Sequence, residues 1–170
     1  NRKDVGNRYA RRFKYFPRRY KKMRIISHRA NLNGPSSVTE NTLDSIRMCI
    51  ENGFDVEVDI RVVGDCLYLG HDSIQEKVTH DTLFKLSDRL WIHCKNIEAL
   101  EYFLNYFKDG YFNYFWHQRD KYTLTSKGFI WSYPGSDLSA NSINVMPEWS
   151  TQKESFDSLI NDQIYGICTD

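Results

Sequence analysis

Glu57-Val58-Asp59 sets two carboxylates two residues apart in a segment, 54–63, where Val56, Val58 and Ile60 alternate with them. In a strand, residues i and i+2 share a face, so the two acids stand side by side and repel unless a positive charge lies between them. A hard divalent cation meets that need, and oxygen ligation favours Mg2+, Mn2+ or Ca2+ over zinc. His28-Arg29 ends one apolar run, and His71-Asp72 follows another. Histidines near their ordinary pKa can exchange protons as general acid and base, and a guanidinium can grip a phosphate with two hydrogen bonds. Together these residue types support cleavage of a phosphodiester bond.

Something must bring them together. From Arg24 onward, short apolar runs alternate with helical stretches, the pattern of βαβ units. Strands are expected at 24–28, 54–63, 90–95, 111–117, 128–133, 142–146 and 165–169, with a hairpin through Gly64-Asp65 into a further strand at 66–69. A helix is expected from Asn41, its cap, with Leu43, Ile46 and Ile50 as its buried stripe and Asn52-Gly53 as its stop. Others are expected at 81–87, 97–107 and 155–161. About seven strands in 170 residues predict an abbreviated TIM-type (β/α) barrel, since a full eight-unit barrel takes roughly 250. In such barrels the reacting groups sit at the C-terminal strand ends, where His28, Arg29 and His71 would join the acids. His117 falls at another strand end. Trp116, Trp131, Tyr133 and Trp149 could hold a glycerol, sugar or choline-like group there, as cation–π contacts do. His80, before a helix, reads as a cap or surface residue.

The composition, 41% hydrophobic and 15% aromatic with no apolar run of about 20 residues, excludes a disordered chain and a membrane-spanning helix. Its charge is lopsided. The first 22 residues hold ten of the 23 basic residues and one acid, and the remainder carries a formal charge of −8. The chain thus divides into a basic, aromatic-rich arm, 1–23, and a compact acidic domain, 24–170. Such an arm suits contact with an anionic membrane or a nucleic acid. Cys49, Cys66, Cys94 and Cys168 form no C-x-x-C pair and read as reduced core residues, which favours a cytoplasmic setting with peripheral membrane association through the arm. No signal-peptide pattern is seen, and oligomeric state is left open.

Four ordered motifs carry a family resemblance. Ser27-His28-Arg29-Ala30, Thr39-Glu40-Asn41-Thr42, Glu57-Val58-Asp59-Ile60 and Gly70-His71-Asp72 resemble the H-R-G, P-E-N-T, E-x-D-[VI] and H-D signatures of the glycerophosphodiester phosphodiesterase family. Weaker likeness continues through Trp91-Ile92-His93-Cys94-Lys95-Asn96 to a last strand ending in Thr169-Asp170. The resemblance implies a PLC-like phosphodiesterase barrel that hydrolyses a glycerophosphodiester or a related lipid or glycan phosphodiester. It implies His28 and His71 as acid and base, Arg29 and Lys95 on the phosphate, Glu57 and Asp59 on the metal, and Glu40 beside them. Ala30 replaces the family's glycine, Ser37-Val38-Thr39 stands in place of its proline, and His93 stands where a third carboxylate ligand is common. Either His93 binds the ion, turning preference toward Mn2+ or another transition metal, or water takes that place. A phospholipase D-like enzyme releasing a cyclic phosphate, and a barrel that binds without turnover, are the alternatives.

Overall fold

The computed structural model describes residues 23–149 and 164–170; the basic arm and the helix expected at 155–161 lie outside them. Among the described residues, ten strands join in one sheet: β1 (Arg24–Ser27), β2 (Asp55–Val63), β3 (Cys66–Leu69), β4 (Glu76–Val78), β5 (Leu90–Cys94), β6 (Tyr114–Phe115), β7 (Tyr122–Leu124), β8 (Ile130–Ser132), β9 (Ser142–Val145) and β10 (Gly166–Thr169). Seven of them run parallel in the order β6-β5-β2-β1-β10-β9-β8. Antiparallel pairs β2/β3, β3/β4 and β7/β8 extend the sheet.

The expected TIM-type (β/α) barrel does not form. The sheet curls into a half-barrel of mixed strand direction, accompanied among the described residues by three short helices, α1 (Leu43–Glu51), α2 (His80–Leu86) and α3 (Ile97–Asn105). The barrel with alternating helices implied by the family resemblance is therefore not the fold of this chain. The strand spacing imitated a βαβ period, but the described connections from β6 to β9 carry no α-helix. Residues 133–141 read Tyr-Pro-Gly-Ser-Asp-Leu-Ser-Ala-Asn, largely turn formers. The stretch after β6 is spent on β7, which returns antiparallel onto β8. No ladder joins β6 to β8; the Ser126 hydroxyl, before β8, accepts from Tyr114 N–H at 3.0 Å and donates to the Phe112 carbonyl at 3.1 Å.

β2 positions the acids. Its first two residues pair with β1, its last four with β3, and Val56–Ile60 on its other edge with β5. Val56, Val58 and Ile60 face outward into a core shared with Ile46 and Cys49 of α1 and Ala99 and Phe103 of α3. The opposite, concave face holds Ile26, Trp91, Phe115, Trp131, Ile143 and Cys168. Glu57 and Asp59 share that second face and are buried too, so they cannot be the solvated stripe of a half-exposed strand.

Local chemistry fixes the helices. Thr42, not Asn41, caps α1, its hydroxyl accepting from Ser45 N–H at 3.3 Å, and Asn41 is released for another task. Asn96 caps α3 through Ala99 N–H and also clasps the Val62 backbone, at 3.1 Å to its N–H and 2.7 Å to its carbonyl. α2 is capped by Thr79, while His80 packs among Phe84, Tyr106 and Phe112 and meets the Tyr102 hydroxyl at 2.8 Å. His80 is thus a half-buried packing residue rather than a cap. All four cysteines are free thiols, Cys66 half-buried and the others buried. Among the described residues no helix is long and apolar enough to cross a membrane.

Candidate active site at the C-terminal strand ends

Three acids of β2, Asp55, Glu57 and Asp59, lie on its concave face, and their surroundings differ. Asp55 is fully met by Arg89 Nε at 2.9 Å, Arg24 NH1 at 3.2 Å and the Trp91 indole at 3.3 Å. Two strand positions further on, Glu57 Oε2 accepts the Arg29 backbone N–H at 2.9 Å, and Asp59 Oδ2 accepts from Asn41 Nδ2 at 2.9 Å. Each of these two carboxylates therefore keeps one oxygen turned to its neighbour. Asp59 Oδ1 is buried with no hydrogen bond of its own. A buried carboxylate oxygen left in that state is costly unless a cation completes it.

His93 supplies the third corner. It sits on β5 in register with Asp59, its Nδ1 3.2 Å from Asp59 Oδ1 and 3.5 Å from Glu57 Oε1, close charge contacts without full hydrogen-bond geometry. Its Nε2 bonds the His117 carbonyl at 2.8 Å, and its ring stacks on Phe115 at 5.0 Å. Glu57, Asp59 and His93 each offer a ligand atom within 4.8 Å of the others. Burial alone would pull the His93 pKa down, but the two carboxylates outweigh it and raise it to about 9. Burial likewise would push the Asp59 carboxyl up, and His93, then Lys95 and His71, hold it well below the ordinary carboxylate range.

The chain leaving β1 brings in the rest. Arg29 and Ala30 both have left-handed backbones, φ 52° and 62°, which cost L-residues about 1 kcal/mol or more each. That turn aims the Arg29 N–H at Glu57 and puts the guanidinium 3.5 Å from both Asp59 Oδ2 and Glu40 Oε1. Ala30, standing where the resembled family has glycine, bears the strain of a positive φ that glycine would adopt freely. His28 Nδ1 meets Asp170 Oδ1 at 2.9 Å, and Asn31 Nδ2 donates to the same oxygen at 2.8 Å. Burial lowers the His28 pKa, and Asp170, with Glu57, more than restores it, leaving it above the usual value. Lys95, just after β5, places its Nζ 3.7 Å from Asp59 Oδ1.

His71 sits on a loop bound to the same residue. Gly70 N–H donates to the Asp59 carbonyl at 3.0 Å, and Arg61 Nε donates to the His71 carbonyl at 3.2 Å. The His71 imidazole pairs with Asp72 Oδ1 at 2.8 Å, and its charge reaches Asp59. Gly70 has φ 142°, and a Cβ there would lie 2.0 Å from the Ser73 carbonyl oxygen, so only glycine fits.

The structure thus gathers Glu57, Asp59, His93, Arg29, Lys95 and His28 around one point, with His71 on an adjoining loop. Glu40 faces Arg29 rather than joining the three-ligand group. His117 contributes its backbone carbonyl; its ring lies 5.8 Å from Tyr133, and its Nε2 turns to the Asp120 carbonyl. Trp131 is core, and Trp149 is exposed. Asn31 was not legible as a site residue, Asn41 was expected as a helix cap, and the His28 partner Asp170 was marked only as the end of a strand resembling the family's. The only signal for Asn41 was its place between Glu40 and Thr42. No protein-family model, curated protein or solved structure matches the chain.

Proposed function

We propose that the protein is a metal-dependent phosphodiester hydrolase acting on a glycerophosphodiester or a related lipid or glycan phosphodiester by histidine acid–base catalysis. The observation that carries this reading is that both histidines have a carboxylate on Nδ1, Asp170 at 2.9 Å for His28 and Asp72 at 2.8 Å for His71. Pairing at Nδ1 leaves Nε2 of each ring to exchange a proton with a substrate.

The residues present fit a divalent cation, because Asp59 Oδ1 lacks a hydrogen bond and faces Glu57 and His93 across a ligand-sized gap. When bound, Mg2+, Ca2+ or Mn2+ would supply positive charge to the nonbridging phosphate oxygens. Arg29 and Lys95 hold the phosphate on the same side and neutralise charge as the phosphorus centre becomes crowded. One histidine takes the proton of the attacking oxygen; the other gives a proton to the leaving alcohol, and proton balance is closed between them. The basic arm, 1–22, suits a substrate presented at an anionic lipid surface.

The test uses bis(p-nitrophenyl) phosphate and glycerophosphocholine with chelator or with added Mg2+, Mn2+ or Ca2+. Glu57→Gln/Asp59→Asn is the control, and products are read by phosphorus NMR. Metal-dependent release, lost in the double variant and in both His28→Ala and His71→Ala, is the expected result. A cyclic phosphate product assigns the phospholipase D-like course. Turnover unchanged by His28→Ala and His71→Ala rules out the mechanism, and silence with every metal leaves a binding module.

A further inference from the structure

We infer that His93 is a direct ligand through Nδ1, and that the site consequently selects a first-row transition cation, Mn2+ or Co2+, over Mg2+ and Ca2+. The inference rests on the metal-dependent reading above and fixes which ion that site takes. Three observations lead to it.

The oxygen supply is small. One oxygen of each carboxylate is already spent, Glu57 Oε2 on Arg29 N–H and Asp59 Oδ2 on Asn41 Nδ2. Each acid therefore has one oxygen free of hydrogen bonds to offer a cation. Ca2+ takes six to eight oxygens, often with bidentate carboxylates, and Mg2+ holds to oxygen octahedra. Among the described residues the protein offers two oxygens and one nitrogen, the mixed donor set that imidazole-tolerant transition ions accept.

The nitrogen is held in place for that role. His93 Nε2 is committed to the His117 carbonyl at 2.8 Å, so in the neutral ring Nε2 carries the hydrogen and Nδ1 presents its lone pair toward Asp59 and Glu57. Stacking on Phe115 and the strand register with Asp59 block the ring from swinging away to admit a water in its stead. The backbone carbonyl does what a carboxylate or carbonyl partner does for metal-bound histidines generally: it fixes the tautomer and the ring plane.

The acids on β2 also differ in a way that burial alone does not explain. Asp55 is covered by two arginines and an indole, whereas Asp59 Oδ1 is buried without a hydrogen bond and aimed at His93. Lys95 at 3.7 Å is its other cationic neighbour, too far for a hydrogen bond and placed for a phosphate.

The experiment takes the full chain, stripped with chelator, and titrates Mn2+, Co2+, Mg2+ and Ca2+ separately by calorimetry. Pulsed EPR of the Mn2+ form reads directly bound nitrogen. Expected are a 14N coupling from one imidazole and a Mn2+ affinity at least tenfold above that for Mg2+ or Ca2+. His93→Asp should remove the coupling and reduce the Mn2+ to Mg2+ ratio tenfold or more. Because the nitrogen coupling is read on the unaltered protein, a variant that fails to fold does not spoil the test. Mn2+ binding without nitrogen coupling overturns the inference and spares the hydrolase reading, as does equal affinity for all four ions. Failure of every ion to bind overturns both and leaves the His93 imidazolium as the cation between the acids. Nitrogen coupling without phosphodiester turnover sustains the ligand assignment and removes the hydrolase.

Discussion

Asn41 grips Asp59 at two points, its Nδ2 donating to Oδ2 at 2.9 Å and its Oδ1 accepting the Asp59 backbone N–H at 2.9 Å. Asn41 is fully buried with φ 53°, a left-handed conformation that asparagine tolerates better than most residues. Asn41→Ala removes both bonds and leaves a buried carboxylate and a buried N–H short of partners, which should cost about 3 kcal/mol. Asn41→Gly keeps the backbone freedom and loses the clasp, so it separates the two effects. Urea midpoints of the three proteins make the comparison, and an Asn41→Gly protein as stable as the parent would show that the clasp contributes nothing.

His93 makes the chelated protein sensitive to alkali. Its pKa is about 9 in the fold, against an ordinary value of 6.5. A raised folded pKa means that the contribution is fully present below pH 6.5 and is lost as pH climbs through about 9. The loss is at most about 3 kcal/mol. Denaturant midpoints at pH 6.5 and 9.5 should therefore converge for the parent and His93→Gln as pH rises. Parallel curves for the two proteins would show that the imidazolium is not held by Glu57 and Asp59.

Asp170→Asn keeps the shape of the His28 partner and removes its charge. Since Asp170 is what restores the His28 pKa against burial, the His28 resonance should titrate at lower pH in the variant. The limb of the rate profile that belongs to His28 should move the same way, with turnover reduced at least tenfold. An unmoved His28 titration by NMR would separate the two residues.

Gly70→Ala should be among the most damaging small changes in the chain. The new methyl would start 2.0 Å from the Ser73 carbonyl oxygen, at a backbone angle alanine avoids. A loss of about 3 kcal/mol, or a displaced loop carrying His71 away from the site, is expected. Thermal unfolding together with turnover reads both outcomes, and a variant normal in each would show that this loop yields freely.

What could be read in the sequence was the strand content and the pairing of acids on β2. The alternation of Val56, Val58 and Ile60 with Glu57 and Asp59 survives intact, because period two is a local property of the strand. The three described helices fall where they were expected, but Pro134-Gly135 and the polar residues beside them carry the chain from β8 to the parallel β9 without a helix. Strands β4, Glu-Lys-Val, and β7, Tyr-Thr-Leu, hold no run of apolar residues to mark them. Asn41 was expected as a helix cap, a role its residue type fits equally well, and only the tertiary approach of β2 decides between the two. Asp170 shows the same limit, for its partner lies 142 positions away.

The pairing of β1 with β10, in which Arg24 meets Gly166 and Ser27 meets Thr169, has a consequence for how the protein is made. Chains are synthesised from the N-terminus, and contacts between distant segments form slowly. β1 therefore waits with one edge unpaired until β10 is available. His28, at the tip of β1, waits with it and meets Asp170 only when β10 docks. Formation of the His28–Asp170 pair and pairing of the second edge of β1 are then one event, and a partly folded chain carries an imidazole that lacks this carboxylate.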